Sequence, residues 1–592
     1  MPGRPLDVLF PWGAVLGLFL LAAAMLGADE PAAGLLVSSL ILVATAGACL
    51  RPAVRSSRLV WLMVCLVGLL YALAVVRGWA STGAAEYASL FAATGVFAIA
   101  QAGARAPERA TVLWNATLFV GLLLGVIAFY DTVITPEKIL WLDRPNPSHR
   151  LATPFLSPNT AGTFFGLFSI LAIGGALEAL ARGVRAKSLV LPLVTLIICL
   201  TCMLMTGSRG ALSAFAVSAL VLLAWTFIAA WRRGDRRGVL SPLGLLVASV
   251  LVAVFWLSGS VVSERLFAGI DNAGGNARVV MFDAYIRAIG DAPVFGHGLG
   301  GFEFINAKSA RADNAATIMY QNAAHNVGLQ WILQAGLAGF AGLAVTAGLI
   351  GRDILRGLDR RRSQRPLIRA VAVGVLFVLG HGMVDFALEI PGFMWLFAWV
   401  LGVGAGLATG GGRASRAGGR WTAIAFSAVF AAGALLSGSA FLDRAQALSI
   451  ANLDDTEFLA AYGDVLPVRG SARLYTAIGD RALAMQLRRA SVAAVAYERS
   501  VEMEPRDGLV WAKLSMARLL SQPGDPAAVI DALRQSYFVM PYADRSVIRW
   551  RLDFAATVWG FLPEDVRAAA RREARIAPPA IQADWDIRVA NR

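Results

Sequence analysis

Three side chains in an otherwise apolar sequence have the chemistry to bind an anion and to move a proton. Arg209 lies in the segment TGSRGA, Arg278 in NARVVMFDAYIRAIGDAP, and His325 in AHNVGLQWILQAG. A guanidinium group can make two parallel charge-assisted hydrogen bonds to a diphosphate. An imidazole changes its charge near neutral pH and can accept or orient a hydroxyl proton. We therefore interpret the three residues as candidates for one catalytic centre at a membrane face.

Each candidate also has an ordinary structural interpretation. Arg209 lies between two apolar runs, where arginines commonly reach towards lipid headgroups, although Gly207 and Gly210 would let the backbone turn tightly there. Arg278 could be a solvated surface residue, and a histidine at a helix start is often only a hydrogen-bonding group. We predict that Asn276 caps the helix of Arg278, which would place this cation in a first turn that the helix dipole disfavours. That position favours an anionic ligand for Arg278.

Four further polar residues near predicted span ends could orient these candidates. They are Asn159, Asn326, His381 and Asp385. His381 and Asp385 are four residues apart, the spacing of neighbours on one helix face, so we expect them to pair. Asn159 or Thr160 is the expected N-cap of the span that follows.

The helix of Arg278 is predicted to be amphipathic. Its apolar residues recur at helical spacing, and we expect them to form the face that packs against the protein. They are Val279, Phe282, Ile286 and Ile289.

The sequence predicts neither a metal site nor a bound cofactor. No DxD, HExxH or Cys/His cluster occurs outside the predicted spans. The segment GHGLGG at 296–301 matches a dinucleotide-binding pattern but follows Pro293 rather than a strand, and we interpret it as a turn. The four cysteines all fall within apolar runs and are interpreted as small residues on helix walls. They are Cys49, Cys65, Cys199 and Cys202.

Composition indicates an all-α, polytopic membrane protein. Of the 592 residues, 57% are hydrophobic and only 16% are charged, and the mean hydropathy is +0.63. Soluble proteins carry about 25% charged residues. The net charge of +14 does not indicate nucleic-acid binding, because most basic residues cluster in short loops between apolar runs.

Thirteen spans are predicted, each close to the ~20 residues that cross a bilayer. Residues 8–27 also resemble a signal peptide, but we favour an uncleaved first span. The predicted spans are 8–27, 32–50, 58–76, 84–103, 111–130, 159–180, 188–206, 210–231, 239–258, 326–350, 366–388, 392–410 and 421–440.

Alternate loops are rich in arginine, which predicts the orientation. Basic loops resist translocation, so the N-terminus and these loops should be cytoplasmic. Arg209, the loop 259–325 and the chain after residue 440 then lie on the opposite side. The basic loops include Arg51, Arg55 and Arg58, Arg232 to Arg237, and six arginines from Arg352 to Arg365.

We divide the chain into N-terminal spans (1–130), a membrane core (131–440) that contains the large loop 259–325, and a C-terminal helical domain (441–592). The last of these has the small-residue spacing of a tetratricopeptide repeat, with a weaker second copy 36 residues on. The repeat positions are Ala493, Tyr497, Ser500, Pro505, Trp511 and Leu514, then Val529, Leu533, Ser536 and Pro541.

The ordered set of motifs resembles the O-antigen ligase and O-antigen polymerase superfamily of bacterial envelope glycosyltransferases. The resemblance covers roughly residues 140–410. The matching pieces, in order, are PFLSPNTAG, TGSRGA, R-VVMFDAYIRAIGDAPVFGHGLGGF, AHNVGLQWILQAGLAG and HGMVDFALEIPG.

This resemblance implies a GT-C-like membrane fold, a glycan donor linked to undecaprenyl diphosphate, and transfer at the periplasmic face of the inner membrane. It assigns diphosphate binding to Arg209 and Arg278 and the acceptor hydroxyl to His325, with Asn159 at a further family position. The acceptor would be lipid A-core for a ligase, which we favour, a second lipid-linked glycan for a polymerase, or a protein side chain for an oligosaccharyltransferase.

Two other classes of function are less well supported by the sequence. A transporter of the lipid-linked glycan would place its ionisable residues within the membrane and often shows inverted repeats, whereas the charges noted here lie at span ends. A scaffold would act through the C-terminal repeats, which could in any case bind a protein partner. Membrane lipids are expected partners, and nucleic acids are not.

Overall fold

The computed structural model describes residues 11–51, 58–144, 150–183, 186–235, 240–242, 244–247, 249, 272–319, 321–410, 420–463, 466–485, 489–543 and 545–590. These parts of the chain are almost entirely helical, with one antiparallel pair of two-residue strands, β1 (Lys138–Ile139) and β2 (Leu142–Asp143). The all-α fold class is confirmed.

Fifteen helices of the membrane part lie within the described residues with both ends defined. Their bounds are α1 (Trp12–Ala24), α2 (Pro31–Cys49), α3 (Arg58–Val76), α4 (Ala84–Ala104), α5 (Pro107–Val133), α6 (Pro158–Ala181), α7 (Lys187–Met205), α8 (Arg209–Trp231), α9 (Asn272–Asp291), α10 (Phe302–Ser309), α11 (Ala315–Ile318), α12 (Val327–Arg360), α13 (Arg365–Gly382), α14 (Pro391–Thr409) and α15 (Arg420–Ile450).

Eleven helices of the described residues are long and apolar enough to cross a membrane, namely α2 to α8 and α12 to α15. The chain is thus a multi-pass membrane protein. Helix α1 has only 13 residues, and most of the predicted span 239–258 lies outside the described residues. The count of thirteen spans therefore stays a prediction.

Small residues let the central helices approach closely. Along α14, a Cβ atom added to Gly402 would lie 2.6 Å from the carbonyl oxygen of Phe97. One added to Gly406 would lie 2.5 Å from the carbonyl oxygen of Gln101, so α4 and α14 touch backbone to backbone. Membrane helices associate through such contacts because lipid tails are as apolar as the side chains.

Several predicted spans have different bounds in the structure; the span 326–350, for example, continues as α12 to Arg360. Two further differences have clear causes. The span 366–388 ends at Gly382, because residues 383–390 form a connection with a short 3₁₀ turn at Ala387–Glu389. The span 421–440 continues as α15 to Ile450, past the predicted domain boundary at residue 440. In both cases the apolar run does not mark the end of the hydrogen-bonded helix, because polar residues can extend a helix and a turn can shorten it.

Connections between the spans meet at two opposite ends of the bundle. At the arginine-rich end, Arg361 Nε donates to the carbonyl oxygen of Leu407. At the other end, which we call the site end, the connections after α5, α7 and α13 and the start of α12 lie together, and Asn326 Nδ2 donates to the carbonyl oxygen of Met383. The site end holds Arg209 and His325; which side of the membrane it faces stays a prediction.

Beyond α15 the described chain forms eight helices. They are α16 (Asp455–Tyr462), α17 (Ala472–Ala484), α18 (Ala490–Met503), α19 (Gly508–Ser521), α20 (Pro526–Val539), α21 (Arg545–Thr557), α22 (Glu564–Ala574) and α23 (Pro579–Ala590).

These C-terminal helices contain a structural repeat. Ser500 Oγ donates to the carbonyl oxygen of Ala472 at 3.0 Å, and 36 residues later Ser536 Oγ donates to that of Gly508 at 2.7 Å. Each bond joins the two helices of one pair, α17 with α18 and α19 with α20, through a small buried serine. The 36-residue period agrees with the spacing in the sequence, and the tetratricopeptide assignment stays a prediction.

A buried ion pair joins α21 and α22 of the C-terminal helices. Arg551 and Glu573 are both 0% exposed. Arg551 Nε donates to Glu573 Oε2 at 3.0 Å, and the backbone N–H of Ala543 donates to Glu573 Oε1 at 2.8 Å. Removing one partner of such a pair leaves an uncompensated buried charge.

We predict that Glu573→Gln lowers the free energy of unfolding by about 3–5 kcal/mol, seen as a lower Tm in calorimetry of the full-length protein in detergent. Arg571→Ala is the control, because its pair with Glu564 is largely exposed and exposed pairs contribute little. Equal Tm values for the two variants would contradict the prediction.

Candidate active site at the site end of the bundle

The TGSRGA segment forms the turn between α7 and α8. Gly207 has a φ of 59°, which glycine adopts without strain, and the side chain of Ser208 caps α8. Arg209 is then the first residue of α8, with an exposed side chain. A Cβ atom added to Gly210 would lie 3.0 Å from His381 Nε2, so this helix start passes directly beside His381.

Arg150, which the sequence analysis did not select, contacts the same turn. Its Nε donates to the carbonyl oxygen of Thr206 at 2.7 Å, and its Nη2 donates to Asn159 Oδ1 at 3.2 Å. Ser157, and neither Asn159 nor Thr160, caps α6, so that expectation was wrong. A serine before a proline at the first helical position fits a helix start, and the Asn159 amide is left to orient Arg150.

His381 and Asp385 are buried beside this turn, with 2% and 0% exposure. His381 Nδ1 lies 2.8 Å from Thr163 Oγ1 and 3.9 Å from Asp385 Oδ2. Asp385 Oδ2 accepts from the backbone N–H of Ala387 at 3.2 Å. Asp385 thus shapes the connection after α13, and its contact with His381 is a close approach beyond hydrogen-bond distance.

His325 lies just before α12, half-buried, with a φ of 51°. A residue other than glycine in this region is strained by roughly 1–2 kcal/mol. Asn326 caps α12 by accepting from Leu329 N at 3.0 Å, so its role in the structure is to begin the helix. The imidazole lies against Phe386, whose ring centre is 4.8 Å away, edge to face.

The two ring nitrogens of His325 have different surroundings. Nε2 lies 3.1 Å from Gln321 Oε1, and because an amide oxygen can only accept, Nε2 carries the hydrogen. Nδ1 is buried and has no hydrogen-bond partner among the described residues. The imidazole is therefore arranged as a neutral ring with an unused lone pair on Nδ1.

Arg278 lies on α9, and its charge acts on the same group of residues. It lowers the pKa of His325 and opposes the raised pKa of Asp385. Its side chain is exposed. Helix α9 already includes Asn272 to Asn276, so the expected cap at Asn276 was wrong. Arg278 is not in the first turn, and the helix dipole gives no argument about its ligand.

The predicted apolar face of α9 is buried only in part, because Phe282 and Ile289 are partly buried and pack against the buried cluster, but the other two residues do not. Val279 and Ile286 are 67% and 61% exposed, whereas Met281, Tyr285 and Ala288 are buried. Both sets recur at helical spacing, so the sequence alone could not tell which face meets the protein. A surface beside a bilayer can carry exposed apolar residues that a soluble protein would bury.

Electrostatics favour a neutral imidazole at this site. Burial, reinforced by the positive charge of Arg278, lowers the pKa of His325 from its usual value near 6.5 to about 4. Burial raises the pKa of Asp385 to about 6, against the opposing effects of two backbone N–H groups and Arg278. His325 can therefore accept a proton at neutral pH rather than supply one.

The structure brings several predicted residues together and adds others. His325, Asn326, His381 and Asp385 are connected through the segment 381–386, and the start of α8 with Arg209 touches it at Gly210. Arg278 reaches this group electrostatically, and Asn159 joins through Arg150. No sequence signal marked Arg150, because its partner Thr206 is 56 residues away. The catalytic roles of all these residues stay predictions.

The segment 296–301 is a turn, as predicted, with positive φ at Gly296, Gly298 and Gly300. Among the described residues, no group of three or more His, Cys, Asp or Glu side chains is arranged to hold a metal ion.

A comparison with protein-family models finds that residues 194–344 match the family described as O-antigen ligase. This part of the chain is therefore similar to O-antigen ligases. The matched region runs from α7 through Arg209, Arg278 and His325 into α12. No curated protein matches the chain significantly.

The O-antigen ligase match confirms the resemblance to the ligase and polymerase superfamily and supports a membrane glycosyltransferase of that type. The match covers about a quarter of the chain and leaves out α1 to α6, α13 to α15 and the C-terminal helices. Thus Arg150, Asn159, His381 and Asp385 lie outside the matched region.

We predict that His325 titrates well below pH 6.5 in NMR spectra of the isotope-labelled protein in detergent, where only four histidines contribute. Replacing Arg278 by Gln removes a positive charge that disfavours the imidazolium, so the pKa of His325 should rise. Arg287→Gln on the same helix is the control, because Arg287 pairs with Asp283. An unchanged pKa in Arg278→Gln would show that Arg278 does not act on His325.

Proposed function

We propose that the protein transfers a glycan from an undecaprenyl-diphosphate-linked donor to an acceptor hydroxyl, with the reaction at the site end of the bundle. The observation that carries this proposal is the neutral, half-buried His325 with an unused Nδ1 lone pair beside the charge of Arg278. The O-antigen ligase match over residues 194–344 supports the class of reaction.

In the proposed reaction the acceptor oxygen attacks the anomeric carbon of the donor sugar. The bond between this carbon and the diphosphate oxygen breaks, the new glycosidic bond forms with inversion, and the hydroxyl proton passes to His325. The lipid diphosphate leaves with the bonding electron pair, and Arg209 and Arg278 stabilise the negative charge that develops on it. A general base contributes about 10²–10⁴-fold to such a step.

The surroundings of His325 bear on how the acceptor would reach it. Nδ1 is shielded from solvent, so acceptor binding must move a neighbouring group, and the ring of Phe386 covers the imidazole edge to face. Exclusion of water also protects the donor from hydrolysis, because a water molecule at Nδ1 would compete with the acceptor hydroxyl. Asn159, His381 and Asp385 would orient the arginines and the imidazole.

We infer that the acceptor is lipid A-core, as for a ligase, with the active site and the C-terminal helices on the periplasmic side of the bacterial inner membrane. The arginine-rich connections at the opposite end support this orientation. The proposed reaction needs no metal and no cofactor, because the two guanidinium groups supply the positive charge at the leaving group. The alternatives are a polymerase and a protein oligosaccharyltransferase, which would use the same chemistry on another acceptor.

Three substitutions test the proposed centre. Arg209→Lys and Arg278→Lys keep the charge but lose the two-pronged hydrogen bonding to a diphosphate, and His325→Ala removes the base. Each should lower glycan transfer by at least about 10²-fold without lowering the amount of protein in the membrane. Transfer is measured with lipid-linked donor in proteoliposomes.

Arg287→Lys is the matched control for Arg278→Lys, since it makes the same change on the same helix at a residue paired with Asp283. Full glycan transfer by all three site variants would contradict the proposal that the protein is an enzyme. A transporter would instead lose movement of the lipid-linked glycan across the membrane, which is measured separately.

A deletion strain distinguishes ligase from polymerase. Loss of a ligase should leave polymer attached to its lipid carrier, whereas loss of a polymerase should leave single repeat units on the acceptor. Glycan analysis of the deletion strain measures the difference, and a strain carrying His325→Ala should show the same phenotype as the deletion. Single repeat units on the acceptor would exclude the ligase.

A further inference from the structure

The C-terminal helices touch the helix that carries Arg278 through a buried apolar cluster. Tyr542, in the connection after α20, is 7% exposed and lies in one cluster with Met281 and Tyr285 of α9 and Phe302 of α10. Ile576, after α22, packs against this cluster. The buried face of α9 therefore rests partly on residues more than 200 positions away in the sequence.

A second contact reaches the end of α9 through a histidine. Arg506, between α18 and α19, donates through Nη1 to the carbonyl oxygen of His297 at 2.9 Å. The ring of His297 in turn lies 3.0 Å from the carbonyl oxygen of Ala288 through Nε2. Because a carbonyl can only accept, the ring N–H donates to the last turns of α9. Arg506 and α9 are thus joined by two hydrogen bonds in series.

Arg506 is itself fixed by aromatic groups of the membrane part. Its guanidinium carbon lies 3.5 Å from the ring centre of Trp79, in the connection between α3 and α4, and 5.0 Å from that of Phe304 on α10. Next to it, Thr82 donates to Glu504 Oε2 at 2.5 Å. A planar guanidinium stacks on such rings, whereas an ammonium does not match this geometry. The contacts of Arg506 with these rings and with His297 therefore require an arginine at position 506.

The turn held by Arg506 is also packed too closely to shift alone. A Cβ atom added to Gly298 would lie 2.8 Å from the ring of Trp79, and one added to Gly296 would lie 2.5 Å from the backbone of Gln334 in α12. The backbone N–H of Gly298 donates to the carbonyl oxygen of Gln334 at 2.8 Å. Position 297 thus belongs to a closely packed junction of the connection between α3 and α4, the helix α12 and the C-terminal helices.

We propose that Arg506 and Tyr542 are positioning residues for Arg278, so that the C-terminal helices form part of the transferase site. The inference rests on the proposed function, in which Arg278 binds the donor diphosphate. Ala288 and Arg278 are about 15 Å apart along α9. A tilt of α9 at Ala288, where His297 holds it, therefore displaces the guanidinium group of Arg278. A displacement of about 1 Å can cost about 10²-fold in rate.

The test compares full-length variants in proteoliposomes with lipid-linked donor. Arg506→Ala and Tyr542→Ala should each lower kcat/KM for the donor by about 10–10²-fold, and Arg506→Lys should restore little, because the stack on Trp79 needs a planar group. Lys513→Ala is the matched control, since Lys513 pairs with Asp480 within the C-terminal helices. It should keep full transfer.

Hydrogen exchange separates positioning from general unfolding. In Arg506→Ala the amides of residues 277–291 should exchange faster, while those of α21 and α22 keep their protection. Transfer that falls without faster exchange in 277–291, or faster exchange there with full transfer, would overturn the inference. A loss of protection throughout the C-terminal helices would also overturn it, by showing that Arg506 only stabilises that region.

A double-substitution experiment tests whether Arg506 acts through Arg278. In an Arg278→Lys background, adding Arg506→Ala should cost much less than in the wild type, because the guanidinium that it positions is already absent. If the fold-losses in transfer of the two single substitutions multiply in the double variant, the inference is contradicted. If Arg278→Lys alone keeps full transfer, the proposed function fails; if Arg278→Lys is inactive while Arg506→Ala and Tyr542→Ala are fully active, only the positioning inference fails.

Discussion

The site depends on keeping an imidazole neutral next to a positive charge. Burial and the charge of Arg278 act on His325 in the same direction, and both disfavour the imidazolium. A negatively charged donor would offset the charge of Arg278 and so allow His325 to hold a proton after it has accepted one. In the proposed mechanism, proton transfer is therefore coupled to the presence of the diphosphate, since the empty site disfavours a protonated imidazole.

The helix bundle makes this arrangement feasible at its end and not in its middle. Arg209, His325 and Asp385 all lie in connections or at helix starts, where backbone N–H groups can bind polar side chains. Close packing such as that of Gly402 against α4 holds the spans together beneath them. The spans provide rigidity, and the connections provide the polar groups.

Much of the membrane part could be predicted from the sequence, because a run of about 20 apolar residues has few alternatives to a spanning helix. The sequence also put Arg209 and His325 near span ends. It could not assign the whole buried face of α9, because Val279 and Ile286 recur at a helical spacing, as do Met281 and Tyr285. Contacts such as that of Arg150 with Thr206 depend on how distant segments pack, and local pattern carries no information about them.

The unbroken course of α15 has a consequence for the response to the bilayer. Its 31 residues span about 46 Å, against about 30 Å of hydrocarbon, and Ser437 and Arg444 fix it to α2 and to Glu30. With no hinge between lipid and water, hydrophobic mismatch in a thicker or thinner membrane would be relieved by tilt. Such a tilt would carry the C-terminal helices with it, so we expect membrane thickness to modulate the proposed transfer activity.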